Sequence, residues 1–437
     1  MKPSFYNLSV TVDGRDILYN GLTGAMLEID RGSFDQIADA LKDIPLERAK
    51  ECKSAQAFID NMFLVADELN ELDYIKTIYN LSRFNDSPTL TIAPTLNCNL
   101  NCRYCYEEKS PKRMNEKTIE ALKVFFRKTL DETETKSISV DWYGGEPLLE
   151  YNSIIELSKS FQKDCNERGC KYRSSMTTNG TLLTKDVLSS LTTHGVSMIQ
   201  VTLDGTKDAH DRNRPFSNSN KSSFEAIIKN LEDAVGEVVL AIRMNADKDN
   251  MAQILDQLKD FQSRGWLTGN SKFFPYIAPI RNISKNCNLL PSKCLTVDYF
   301  DVFTLFISRL KELGLKLQRS EIHGYPMPVN SNCGAVSLNS YVVNPDGLLF
   351  KCGLTIDNPA EKVGSIFEPI CLSNPALTKW LSYDPFQREE CLDCIALPTC
   401  LSGCPKANIS NDNSATHDHC SFLKNNLTRL ISLHGND

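Results

Sequence analysis

The sequence predicts an α/β fold, a partial (β/α)6 TIM-like barrel, and two patterns carry that expectation. From residue 89, short strand-like runs alternate with amphipathic stretches whose apolar residues recur at helical spacing. The strand ends carry polar, glycine-bearing loops, as in parallel folds whose chemistry sits at the C-terminal edge of the strands. The strand candidates are residues 89–95, 137–142, 172–178, 196–203, 237–245 and 272–279. Asn115 is placed to cap a helix bearing Ile119, Leu122, Phe125 and Phe126. Residues 223–234 carry Phe224, Ile227, Ile228 and Leu231, and residues 250–261 carry Ile254, Leu255, Leu258 and Phe261. A last helix over 297–313 closes six strand–helix units.

Composition bounds the function. The 437 residues suggest about three domains, divided at 1–85, 86–315 and 316–437. Hydrophobic content of 41% and charged content of 24% are those of a globular protein. With 48 Lys+Arg against 55 Asp+Glu and a net charge of −7, no basic excess exists to bind nucleic acid or an anionic membrane. Apolar runs such as 238–242 fall far short of the roughly 20 residues of a membrane span. Asp13, Arg15 and Asp16 interrupt the first 25 residues, which lack a signal core. A cytoplasmic protein is expected, and in that compartment 16 cysteines point to metal ligands or buried thiols rather than disulfides.

Three of them decide the reading. Cys98, Cys102 and Cys105 stand in a C-x3-C-x2-C spacing within a polar loop directly after the first barrel strand. A tetrahedral zinc site wants a fourth protein ligand, and none is near. Three thiolates suit a [4Fe–4S] cluster with one iron open to a chelating ligand. This spacing, with Tyr104 just before the last cysteine, resembles the signature of radical S-adenosylmethionine enzymes. The resemblance implies that S-adenosylmethionine chelates the open iron and is cleaved by reduction to a 5′-deoxyadenosyl radical.

The other strand ends fit the same mouth. Gly144, Gly145, Glu146 and Pro147 follow the second strand; alone they read as a Gly-Pro turn or as backbone shaped for a ligand. In the resembled family this segment binds the methionine amino group. Thr177, Thr178, Asn179 and Gly180 end the third strand, a turn and helix cap or a set of ribose contacts. Leu203, Asp204 and Gly205 end the fourth; residues 208–214 then read as a solvated charged loop or, by resemblance, as a segment closing the site. Arg243 and Asn245, on the fifth strand, match positions that contact the cofactor's ribose or carboxylate.

A second cysteine group lies in the last quarter. Cys333 is followed after thirteen residues by Gly347 and after four more by Cys352. Then come Cys391-x2-Cys394-x5-Cys400-x3-Cys404 and, fifteen residues on, Cys420. C-x2-C pairs commonly hold zinc, but seven cysteines do not divide into two four-thiolate zinc sites. The pattern resembles, cysteine for cysteine, the SPASM extension of radical enzymes, an iron–sulfur domain with two auxiliary clusters. The resemblance assigns Cys391, Cys394, Cys400 and Cys420 to the second auxiliary cluster and Cys333, Cys352 and Cys404 to the first, for three [4Fe–4S] clusters in all. The first auxiliary cluster then lacks a fourth thiolate; Cys287, Cys294 or Cys371 completes it, or one iron is open. Sulfatase-maturating enzymes of this superfamily carry an extra cysteine after the first of this pattern and an Asp after the second. Residues 334–351 contain no cysteine and the second position is Gly353.

Residues 5–12 and 16–19 read as a hairpin across Asp13-Gly14, followed by helical stretches at 34–41 and 55–61, a short strand at 63–65 and a helix over 69–78. This order suggests a winged-helix-like module: a cap on the barrel or, by resemblance to peptide maturases, a recognition element for the leader of a precursor peptide. The resemblance to the radical S-adenosylmethionine/SPASM family covers roughly residues 85–425. It implies a maturase that abstracts hydrogen from a ribosomally made peptide and installs an intrapeptide carbon–carbon, thioether or ether link. An electron donor such as flavodoxin or ferredoxin would serve it. A sulfatase-maturase-like or peptide-epimerising enzyme and a zinc-bound interaction protein are the other readings. Glu321, His323 and Asp346 are candidate bases with no motif to choose among them.

Overall fold

The computed structural model describes all residues except 86, 269–271, 281–298, 316, 318–319, 321–322, 332, 411–421 and 436–437. The chain forms two compact units. The first joins residues 1–85, 316–333 and 383–437; the second joins 86–315 and 334–382. These ranges cut across the three segments expected from sequence. The C-terminal segment 316–437 is shared between the units, because part of it extends the barrel sheet.

In the second unit β6 (Thr89–Ile92), β7 (Ser137–Trp142), β8 (Lys171–Thr178), β9 (Val196–Thr202), β10 (Val239–Ala246) and β11 (Phe273–Pro279) pair in parallel, each with its sequence neighbour. Helices Glu116–Thr133, Tyr151–Glu167, Lys185–Thr193, Ser223–Ala234 and Met251–Ser263 form the crossovers, and Tyr299–Glu312 follows β11. The expected strands and most expected helices therefore stand, with ends moved by at most three residues. Asn115 caps its helix, its side chain accepting from the Thr118 N–H at 2.9 Å. The 297–298 end of the last expected helix lies outside the described residues. Beyond β6 the sheet continues through β12 (Ser340–Val343), parallel to β6, then β13 (Leu348–Phe350) and β14 (Gly364–Ser365), both antiparallel.

The strands alternate rather than reading as unbroken apolar runs, and the alternation places the site. Ile138, Val140 and Trp142 on β7, and Leu240, Ile242 and Met244 on β10, are wholly buried. Phe126 and Phe161 stack at 4.0 Å where the first two crossover helices meet. Many alternate residues, among them Ser139, Asp141, Arg243 and Asn245, are polar. Ser175 donates to Asp141 at 2.6 Å and Tyr276 to Gln200 at 2.6 Å. One face of the sheet is thus core, and the other carries the groups from which a site is built.

In the first unit β2 (Asn7–Val12), β3 (Arg15–Asn20) and β4 (Met26–Ile29) form an antiparallel sheet, and β1 (Lys2–Pro3) pairs with β5 (Leu64–Val65). Asp13 and Gly14 make the tight turn between β2 and β3 with φ of 50° and 80°. Val10, Val12, Ile17 and Tyr19 pack with Ala396, Leu427 and Ile431. The Tyr19 hydroxyl donates to the Pro326 carbonyl at 2.7 Å. The hairpin therefore shares a core with the chain's last helix, Leu427–His434, rather than closing on residues 1–85 alone. Among the described residues no helix is long and apolar enough to cross a membrane.

Candidate active site

Because β6 to β11 run parallel, their C-terminal ends lie along one edge, and the loops leaving them enclose a cavity of about 420 Å³. Cys98, Cys102 and Cys105 line it together with Gly144, Gly145, Thr177, Thr178 and Asn179. Arg243 and Asn245 line it as well. Among the described residues no three His, Cys, Asp or Glu side chains converge on a point that would hold a single ion. Cys98, Cys102 and Cys105 line one cavity; a [4Fe–4S] cube takes its thiolates on separate irons.

The loop is held from three sides. Gly145 N–H donates to the Thr95 carbonyl at 3.3 Å and Glu146 N–H to the Asn97 carbonyl at 2.8 Å. A side chain on Gly144 or Gly145 would collide with the carbonyls of Thr95 and Asn97. The two glycines thus first serve the approach of the β7 loop to the cysteine loop. On another side, residues 213–217 run antiparallel to 99–103: Asn101 N–H donates to the Pro215 carbonyl at 2.7 Å, Arg103 N–H to Asn213 at 3.0 Å and Ser217 N–H to Asn99 at 2.8 Å. On the third, Asn179 Nδ2 donates to Asn99 Oδ1 at 2.7 Å and reaches Cys98 Sγ at 3.8 Å.

Residues 92–261 match the model of the radical SAM superfamily. The chain carries a radical SAM domain. Relatives extend past it. A cysteine-type anaerobic sulfatase-maturating enzyme of Clostridium novyi (strain NT) is 23% identical over 76% of this chain and 93% of its own. The antilisterial bacteriocin subtilosin biosynthesis protein AlbA of Bacillus subtilis (strain 168) is 24% identical over 77% and 71%. The crystal structure of Streptococcus suis SuiB bound to S-adenosylmethionine shares the fold at a TM-score of 0.55 and 15% identity, over 95% of this chain and 98% of that one. Beyond that domain, the chain is similar to a sulfatase-maturating enzyme and to a bacteriocin biosynthesis protein.

The cavity lining would suit an iron–sulfur cluster: three thiols in one loop, an amide on one of them and cationic side chains in the wall. Burial pushes the Cys98 thiol up to about 11 and raises Cys102 and Cys105 too.

Glu146 is the exception among the expected cofactor contacts. It is fully buried, accepting from Leu148 N–H at 3.0 Å, Thr178 Oγ1 at 2.7 Å and Asn179 N–H at 2.7 Å. Burial raises its carboxyl, and those three donors oppose the shift. The acceptor pair offered by this side chain is taken up by the protein, tying the β7 loop to the β8 loop.

The 208–214 stretch corrects the solvated-loop alternative. His210 and Asn213 are buried and Arg214 is 7% exposed, lining the cavity. Arg214 donates to the Tyr104 hydroxyl at 2.7 Å, Asn245 Nδ2 donates to the same oxygen at 2.9 Å, and that hydroxyl donates to Asp204. Tyr106, Glu107 and Tyr143 complete a wall that pattern reading did not assign. Burial and then Asp357 push the Glu107 carboxyl up to about 7. A single charged letter in a polar loop gives no sign of such an environment.

Of the second cysteine group, Cys352 lies in the second unit, and Cys333, Cys391, Cys394, Cys400 and Cys404 lie in the first. Cys404 and Cys371 are exposed, and the others of these are half-buried. Cys165 and Cys170 are buried free thiols. Cys287, Cys294, Cys420 and Glu321 lie outside the described residues.

Proposed function

We propose that the protein is a radical S-adenosylmethionine maturase that installs an intrapeptide cross-link, carbon–carbon first among the options, in a ribosomally made precursor peptide. The observation that carries this reading is the shared wall of Cys98, Cys102 and Cys105 in a cavity at the ends of six parallel strands. When bound there, the iron–sulfur cluster and S-adenosylmethionine supply a radical able to take hydrogen from an unactivated C–H bond.

The chain's residues bind, orient and exclude water. Cys98, Cys102 and Cys105 hold the cluster, and Asn179 keeps the first of them in place. Gly144 and Gly145 present backbone to the methionine end of the cofactor. Thr177, Asn179, Arg243 and Asn245 face its ribose and carboxylate. Tyr106, Glu107 and Tyr143 stand where a substrate residue would enter. Cys333, Cys352, Cys391, Cys394, Cys400, Cys404 and Cys420 would hold two further [4Fe–4S] clusters, with Cys287, Cys294 or Cys371 as the eighth ligand unless one iron is open, and such clusters would supply a one-electron acceptor. Flavodoxin or ferredoxin supplies the first electron.

A peptide substrate is supported by the AlbA relative and by the SuiB fold, which is also known bound to its precursor peptide SuiA at a TM-score of 0.50. The three-stranded sheet of the first unit ends at β4, whose outer edge offers backbone groups to a leader strand. The sulfatase-maturating relative favours a second reading, oxidation of a sulfatase residue. Gly353, where those enzymes place an Asp, stands against it; a Cβ placed there would lie 3.9 Å from the ring of the cavity residue Tyr143.

Anaerobic reaction with precursor and S-adenosylmethionine tests the proposal. A mass loss of two hydrogens is expected, and an unmodified sulfatase peptide offered in its place should return unchanged. Conversion of the sulfatase peptide alone would replace this reading with the second.

A further inference from the structure

Besides Arg103 within it, the cysteine loop is approached by two cations from outside the Cys98–Cys105 stretch, Lys109 and Arg214. Lys109 Nζ donates to the Leu100 carbonyl and to Asn101 Oδ1 at 3.0 Å, from a half-buried position. Arg214 reaches the loop from the far side and is 7% exposed. One guanidinium nitrogen is committed to the Tyr104 hydroxyl at 2.7 Å, while its buried Nε has no hydrogen-bond partner. That hydroxyl also takes the Asn245 amide at 2.9 Å and donates to Asp204, and the Asp204 carboxylate accepts the Asn245 N–H at 2.9 Å. Main-chain bonds on either side, Arg103 to Asn213 and Asn101 to Pro215, fix both ends of the segment bearing Arg214. The guanidinium cannot leave Tyr104, or the cavity wall it shares with Cys102, without breaking this set.

We propose that Arg214 is a positioning residue for the radical cluster: anchored through Tyr104, it places a fixed positive charge beside Cys102 and favours the form of the cluster that holds one more electron. This rests on the reading of Cys98, Cys102 and Cys105 as ligands of a [4Fe–4S] cluster. Three thiolates and an added electron concentrate negative charge, and a buried cation offsets it more strongly than a hydrated one. Lys109 does the same from a wetter position, where solvent and salt weaken it. The electron comes from a one-electron reductant and ends on cluster iron; no bond in Arg214 forms or breaks.

The test is an anaerobic redox titration of the reconstituted full chain, followed by electron paramagnetic resonance, with iron content measured on the same samples. Arg214→Met should keep its iron and move the midpoint potential to more negative values. Lys109→Met should move it in the same direction by less, and by less still in 1 M salt, where the screening length is about 3 Å. Arg214→Lys should stay close to the parent. An Arg214→Met protein with full iron and the parent's midpoint overturns the proposal. If Arg214→Met loses its iron, Arg214→Lys decides: retained iron with a parent-like midpoint supports the role of the charge, and iron loss as complete as in Arg214→Met overturns it. A parent chain that takes up no iron–sulfur cluster overturns the ligand assignment itself, a failure distinguishable from the others because it appears before any substitution.

Discussion

The two groups of cysteines stand in opposite kinds of surroundings. Cys98, Cys102 and Cys105 hang from a sheet edge whose core is complete without them, and their loop is bonded to β7, to Asn179 and to residues 213–217. Cys391, Cys394, Cys400 and Cys404 lie on and between helical segments no longer than six residues, Glu389–Leu392, Leu397–Cys400 and Pro405–Ser410. Such single turns have little stability of their own. The first site is an organised cavity that a cluster would enter. The second is a set of thiols on short turns, to which a bound cluster would add order, as metals do in small metal-stabilised domains.

That contrast can be broken most forcefully at the thiols. Cys98→Ala combined with Cys102→Ala and Cys105→Ala should abolish 5′-deoxyadenosine formation while leaving the circular dichroism spectrum of the chain unchanged. A collapse of the fold in this variant would erase the distinction between the two regions. Cys391→Ala with Cys394→Ala should do the reverse. It should remove about four irons per chain, lower the melting temperature and leave 5′-deoxyadenosine formation measurable, as calorimetry and an iron assay would report.

A smaller effect is expected from Asn179→Ala, which deletes the amide beside Cys98 and the bond to Asn99. Outer-shell substitutions of this kind typically cost about 10–100-fold in affinity or activity, and the rate of S-adenosylmethionine cleavage reads it. Glu107→Gln sharpens the picture of the cavity wall. The Glu107 carboxyl is raised to about 7, so its contribution to stability is present in full at acid pH and is lost as pH rises through about 7. The variant's melting temperature relative to the parent should therefore rise between pH 5 and pH 8, both measured without cluster. Asn115→Ala is the smallest of these changes. It should cost about 1 kcal/mol through the lost cap and leave the chemistry alone.

Much of the second unit was legible in the sequence because its signals are local. Period-two and period-3.6 patterns mark β6 to β11 and their helices, and close thiol spacing marks the loop. What escaped depends on contacts between distant residues. Arg214 reads as one more charge in a charged run, and only the ladder between 99–103 and 213–217 brings it to Cys102. Glu146 reads as an exposed acceptor until the β8 loop covers it. Tyr143 and Glu107 carry no periodic signal. The assignment of β12 to β14 to the barrel sheet rests on pairing between residues 340 and 89, which no local pattern announces.

The central claim is that this cavity modifies a peptide. Mass spectrometry of the cognate precursor after anaerobic reaction with the reduced enzyme and S-adenosylmethionine tests it most directly. The account predicts a product lighter by two hydrogens, with a fragment pattern interrupted between the joined residues. A precursor of unchanged mass, alongside robust 5′-deoxyadenosine formation, would contradict a cross-link and point to epimerisation.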